Sequence, residues 1–97
     1  MPRVVVTVEA RRELSSLVRS RHLPPDTYDR VRKSFEPLAS HPLIGPAARG
    51  AEDGHRFVLG PWPWMLIVYR YDAGRDTVVV VTIQDARSGG AAPSDGT

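Results

Sequence analysis

His22, His41 and His55 are the only side chains in the sequence whose ordinary pKa lies near neutrality. Of these, His55 alone falls in a stretch that reads as a strand, followed at once by Arg56, and a second guanidinium, Arg87, closes the last strand-like run. A neutral imidazole accepts a proton, and a guanidinium offers a fixed fork of donors that matches a phosphate. His55, Arg56 and Arg87, with Asp85 and Tyr69 as substitute proton acceptors, therefore have the residue types for proton transfer at a phosphate ester. Strand alternation puts His55 and Phe57 on one face and Arg56 on the other, so His55 and Arg56 reach one phosphate only across a bulge. Other chemistries are excluded. The chain has no cysteine, hence no disulfide, thiolate metal site or catalytic thiol. Its scattered histidines lack the paired spacing of a metal site. No Gly-rich phosphate loop and no Ser/His/Asp arrangement is present, and neither metal nor cofactor is expected.

A second group of residues is suited to binding. Trp62 and Trp64, flanked by Pro61 and Pro63, have two readings: core packing at the end of a hairpin, or an aromatic anchor for bases or a partner. Arg11, Arg12, Arg19, Arg30, Arg32 and Lys33 form either a solvated outer face, interspersed with Glu13, Asp26 and Asp29, or a surface that attracts an acidic segment. Residues 1–50 carry eight Arg and one Lys against five acids, and residues 51–97 carry four Arg against six acids. The positive charge thus sits in the first half. Arg outnumbers Lys twelve to one and Asn is absent, a usage that a GC-rich genome also produces, so the Arg excess alone does not indicate nucleic acid.

The elements that must position these residues follow from periodicity. The 97 residues, 41% hydrophobic and 25% charged, suit one globular domain over residues 1–88, with 89–97 as a disordered tail of small and polar residues. Arg3 to Val8 alternates as a strand with two apolar faces. From Ala10 the spacing of Ala10, Leu14, Leu17 and Val18 is helical, with Arg11, Arg12, Glu13 and Arg19 on the outer side, Thr7 or Glu9 as cap and a stop before Pro24-Pro25. A second helix opens near Pro25-Asp26, with Asp26 as cap and Tyr28, Val31, Phe35, Leu38 and Ala39 on one stripe. Pro37 predicts a kink or restart near Glu36. His41 to Gly54 is a Pro- and Gly-rich loop. Strands follow at His55 to Leu59, Trp64 to Tyr71 and Thr77 to Gln84, the last two a hairpin about Asp72 to Asp76, with Val78 to Val81 apolar enough for a strand covered on both faces. Arg70 is expected to cap a sheet edge or to pair with Asp72 or Asp85. The fold class is α+β: an N-terminal strand, an antiparallel helical hairpin, then a three-stranded antiparallel meander, all in one mainly antiparallel sheet. No apolar run approaches the roughly 18 residues of a membrane span, and the start is too short in apolar residues for a signal peptide, so a cytoplasmic location is expected.

The stretch Leu38-Ala39-Ser40-His41-Pro42-Leu43-Ile44-Gly45, then Arg56-Phe57-Val58-Leu59, the Trp-rich turn, Leu66-Ile67-Val68-Tyr69-Arg70-Tyr71-Asp72 and the valine-rich run ending at Arg87 together resemble the RelE/ParE toxin family from Arg3 to about Ser88. The helical loop motif leans toward the ParE branch. The resemblance implies the toxin of a type II toxin–antitoxin module of the plasmid-stabilisation kind. Such a toxin would inhibit growth and be neutralised by a cognate antitoxin, with DNA contacted only through that antitoxin. It leaves two activities open: binding a protein target such as DNA gyrase, or ribosome-dependent cleavage of messenger RNA. A third reading is an inactive toxin-fold binding protein. A homodimer also fits. For the nuclease, Arg87, Arg56 and His55 would be the catalytic set, but Leu66 stands about where the third-strand Arg would fall and no Tyr follows Arg87. Arg11, Arg12, Arg19, Arg30, Trp62 and Trp64 would meet the antitoxin, whose tail wraps such toxins as an added strand or amphipathic helix.

Overall fold

A computed structural model describes residues 2–48 and 54–87. Seven elements run in the order β1 (Arg3–Val6), α1 (Val8–Ser20), α2 (Thr27–Ser34), α3 (Glu36–Ser40), β2 (His55–Leu59), β3 (Met65–Asp72) and β4 (Thr77–Asp85). The four strands make one sheet in the order β1-β4-β3-β2, with β1 parallel to β4 and the other two pairs antiparallel. The α+β architecture is the one expected from periodicity. The tail assigned to residues 89–97 lies outside the described residues.

The first strand stops two residues short of its expected end. The Thr7 side chain accepts the Ala10 amide proton at 3.1 Å and so caps α1, which makes Val8 the first helical residue, 58% exposed. At the other end of α1, Arg21, His22 and Leu23 return their amides to Leu17, Arg19 and Val18, with His22 in the left-handed region at φ 52°. Asp26 takes the N-cap position of α2 but makes no side-chain cap bond; the Thr27 hydroxyl instead donates to the Pro24 carbonyl at 2.6 Å. The expected restart is present. Phe35 ends α2, and Pro37 sits in the first turn of α3, where its missing N–H is harmless. Tyr28, placed on the apolar stripe by spacing, is 45% exposed.

The helices cover one face of the sheet. Ala10, Leu14, Val31 and Leu38 pack there on Met65, Ile67, Tyr69, Val78, Val80 and Ile83, each at most 7% exposed. A register shift between Val68 and Tyr69 on β3 keeps this face continuous, because Val68 pairs with Thr82 whereas Tyr69 pairs with Val80. The opposite face, expected to be covered at β1 and β4, is open: Val5 is 36% and Leu59 50% exposed. Beyond Val80 strand β4 has no β1 partner, and α1 side chains take over. The Thr7 hydroxyl donates to the Val81 carbonyl at 3.2 Å, and the Glu13 carboxylate accepts from the Ile83 amide at 3.0 Å and the Thr82 hydroxyl at 2.6 Å. Glu13, read from sequence as a solvent-side charge, is thus a bridge from helix to sheet. Among the described residues no helix is long and apolar enough to cross a membrane.

Candidate functional site

Cross-strand pairing decides which face each candidate residue occupies. His55 pairs with Arg70, and Arg70 with Val79, which in turn pairs with Val5. That row lies on the open face, where Arg70 is exposed and makes no ion pair among the described residues, against the expectation of a partner in Asp72 or Asp85. Arg56 pairs with Tyr69, and Tyr69 with Val80, both fully buried on the helical face. His55 and Arg56 therefore point to opposite sides, as alternation requires, and the bulge lies between β3 and β4, where it does not reunite them.

Arg56 has an internal task. Its guanidinium donates to the Gly45 carbonyl at 2.8 Å, while the Gly45 amide donates to the Tyr69 phenol oxygen at 3.0 Å. Residues 46–48 then run along the outer edge of β2, where the Phe57 amide donates to the Pro46 carbonyl and the Ala48 amide to the His55 carbonyl. A Cβ on Gly45 would lie 2.2 Å from the Phe57 carbonyl oxygen, so only glycine permits this approach. The clamp fixes the Pro-rich loop and leaves Leu43 and Ile44 more than half exposed.

Arg87 is also engaged. Its amide donates to Asp85 at 2.8 Å, and its Nε and Nη2 each reach the same carboxylate at 3.1 Å. Arg21, just past the end of α1, grips Asp85 from the other side at 2.8 Å. Asp85 is 2% exposed. Its bonds to Arg87, opposed by desolvation and helped by Arg21, hold the carboxyl well below the usual carboxylate range. The same pairing pushes Arg87 up. Asp85, a substitute proton acceptor by residue type, is thereby committed to two guanidiniums. Tyr69 is sealed in the core.

The Arg87 guanidinium also lies over Trp64, 4.4 Å from the ring centroid; Trp64 stacks on Trp62 at 5.9 Å and 20°, and Arg30 of α2 covers Trp62 at 4.7 Å. Of the six side chains assigned to antitoxin binding, the fold joins Arg30, Trp62 and Trp64 in this ladder and leaves Arg11, Arg12 and Arg19 exposed along α1. Of the two sequence readings of the tryptophans, core packing is the one the fold shows, since both pack against the core. The ladder itself was not legible, because α2 and the turn before β3 are far apart in the chain.

A groove of about 710 Å³ opens between α1 and α2. Val4, Val6, Leu14, Val31, Phe35 and Ile83 give it an apolar floor, with Arg11, Arg32 and Glu36 on its rim. Arg32 is paired with Asp29 at 3.0 Å. Among the described residues no cluster of His, Asp or Glu could hold a metal ion.

Neither a protein-family model nor a curated protein matches the sequence. Solved structures do. A chain of the RelBE2 toxin–antitoxin complex of Mycobacterium tuberculosis is 27% identical, with a TM-score of 0.64 over 88% of this chain and 99% of the other. A chain of the intact Escherichia coli RelBE toxin–antitoxin complex is 14% identical, with a TM-score of 0.67 over 91% and 100%. The isolated E. coli RelE toxin is 15% identical, with a TM-score of 0.62 over 93% and 90%. At these identities the two E. coli structures speak for the fold alone.

Proposed function

From a chain that is a RelE/ParE-superfamily domain in fold, we propose the toxin of a toxin–antitoxin module, one that arrests growth by occupying a protein target and is neutralised by a cognate antitoxin. The observation that carries the choice of mechanism is the separation of the catalytic candidates. Arg56 is bound to Gly45 on the helical face, Arg87 is bound to Asp85 and Trp64, and His55 points to the open face, opposite Arg56. Ribonucleotide cleavage through the 2′-hydroxyl requires acceptor and phosphate donors within one hydrogen-bonding reach of the reacting atoms. The open face instead presents Val5 and Leu59, both exposed, beside the half-buried Phe57, Leu66 and Val79, a composition suited to a protein surface. DNA gyrase is the target that the resemblance to the ParE branch suggests.

The antitoxin's seat in this reading is the groove between α1 and α2. Its apolar floor fits the apolar stripe of an amphipathic segment, and Arg11 on the rim, with Arg12 and Arg19 further along α1, suits acids on that segment. The likeness to a RelBE2 chain at 27% identity favours the second reading, a RelE-like endoribonuclease using His55, Arg56 and Arg87. Tightly controlled induction of the chain, with pulse-labelled DNA and protein synthesis followed together, separates the two. Early loss of DNA synthesis is expected. Early loss of protein synthesis with cut transcripts would replace the first reading by the second, and unimpaired growth with folded protein would remove both.

A further inference from the structure

The two walls of the groove are tied together outside it. Arg21 at the end of α1 holds Asp85; Asp85 holds Arg87; Arg87 lies on Trp64, Trp64 on Trp62, and Trp62 under Arg30 of α2. We propose that this strap couples occupation of the groove to the placement of Arg87, so that a partner seated between α1 and α2 changes the exposure of a guanidinium it never touches. The inference rests on the groove being a partner's seat.

The geometry of α2 makes the coupling direct. Consecutive helical residues point about 100° apart. Tyr28, Val31, Arg32 and Phe35 line the groove, Val31 at its floor with 2% exposure, and Arg30 leaves the other side for the ladder. Eight residues long, α2 has little length over which to absorb a guest; beside the core packing of Val31, it is tied to α1 by an exposed 3.3 Å hydrogen bond from the Tyr28 hydroxyl to Ser15. A guanidinium loses its attraction to an indole beyond about 6 Å. Arg30 starts at 4.7 Å, so a shift of α2 by roughly 1.5 Å uncouples it. Trp62 then loses its outer cation, and the Trp64–Arg87 end of the stack relaxes against Asp85. Linkage makes the effect reciprocal: whatever loosens Arg87 must also change affinity for the groove's guest.

The chain has two tryptophans, both in the strap. Two indole N–H signals therefore read the strap alone in ¹⁵N-labelled full-length protein. The probe is the apolar anionic dye 1-anilinonaphthalene-8-sulfonate, and Ala39→Phe, on the groove lining, serves to block its site. Dye binding should shift both indole signals with one saturation curve, and Ala39→Phe should abolish binding and shifts together. Arg30→Ala should silence the Trp64 response, Arg30→Lys should keep part of it, and Arg87→Ala should change dye affinity about fivefold or more, each with unchanged far-ultraviolet dichroism. If the dye binds in the groove while the indole signals stay fixed, the coupling is wrong and the groove stands. If it does not bind, or binds regardless of Ala39→Phe, the groove is no seat and the coupling falls with it.

Discussion

Tyr69 and Gly45 meet through one buried hydrogen bond, 24 residues apart in sequence, in which the Gly45 amide donates to the phenol at 3.0 Å. The bond closes the loop after α3 onto the helical face, and Arg56 closes the same residue's carbonyl. Tyr69→Phe leaves a buried amide unmatched and should lower unfolding free energy by about 1–3 kcal/mol. Gly45→Ala forces a Cβ onto the Phe57 carbonyl and should cost about as much or more, since backbone must move. Urea titration measures both; Tyr69→Phe as stable as the parent would mean that the phenol carries nothing.

Asp85 makes stability depend on acid. In the unfolded chain its carboxyl titrates near the ordinary value of about 3.9, whereas Arg87 and Arg21 hold it lower in the folded chain. The unfolded state therefore binds the proton first as pH falls. The contribution of Asp85 is complete above about pH 5, begins to fall near pH 4 and is lost toward the folded-state pKa. Urea midpoints measured from pH 6 to pH 2.5 should drop more steeply for the parent than for Asp85→Asn, which should already be weaker at pH 7 by about 2–3 kcal/mol. Parallel curves would assign the acid sensitivity elsewhere.

Periodicity located every strand within about two residues and every helix within about three, because each buries one stripe or one face, and Pro24, Pro25 and Pro37 punctuate the helices where their missing donors demand. Alternation alone separated His55 from Arg56. What the sequence could not display was long-range pairing. Glu13 read as a solvent-side charge because nothing local says that β1 ends early and leaves the Ile83 amide to be matched. Arg87 read as a phosphate donor although Asp85 stands only two residues before it, and its second competitor, Trp64, becomes a neighbour only through the pairing of β3 with β4. The β1 and β4 valines read as covered on both faces, whereas all three helices lie on one.

Glu13 offers a sharper test of that edge. Its carboxylate matches one backbone amide and one hydroxyl on a strand that has run past its neighbour. Glu13→Gln keeps one acceptor oxygen and should lose about 0.5–1 kcal/mol, whereas Glu13→Ala strands the Ile83 amide and should lose about 1–3 kcal/mol. Amide hydrogen exchange at Ile83 should accelerate in Glu13→Ala and stay slow in Glu13→Gln. Equal protection in both variants would show that the strand edge needs no carboxylate.

Arg11 and Arg12 are adjacent, exposed and of one charge, yet only Arg11 lines the groove. If the groove seats an acidic antitoxin segment, the two positions should respond differently to charge reversal. Rim charges act chiefly on the rate of association and lose their effect as salt screens them. Arg11→Glu should slow capture by the cognate antitoxin about tenfold at low ionic strength, with the gap closing at high salt, and should leave growth arrest by the free toxin intact. Arg12→Glu should change the rate less. Surface plasmon resonance with immobilised antitoxin provides the rates, and co-expression provides the rescue of growth. Equal slowing by both substitutions would reduce the basic face to a general field along α1, and no slowing by either would move the antitoxin off this groove.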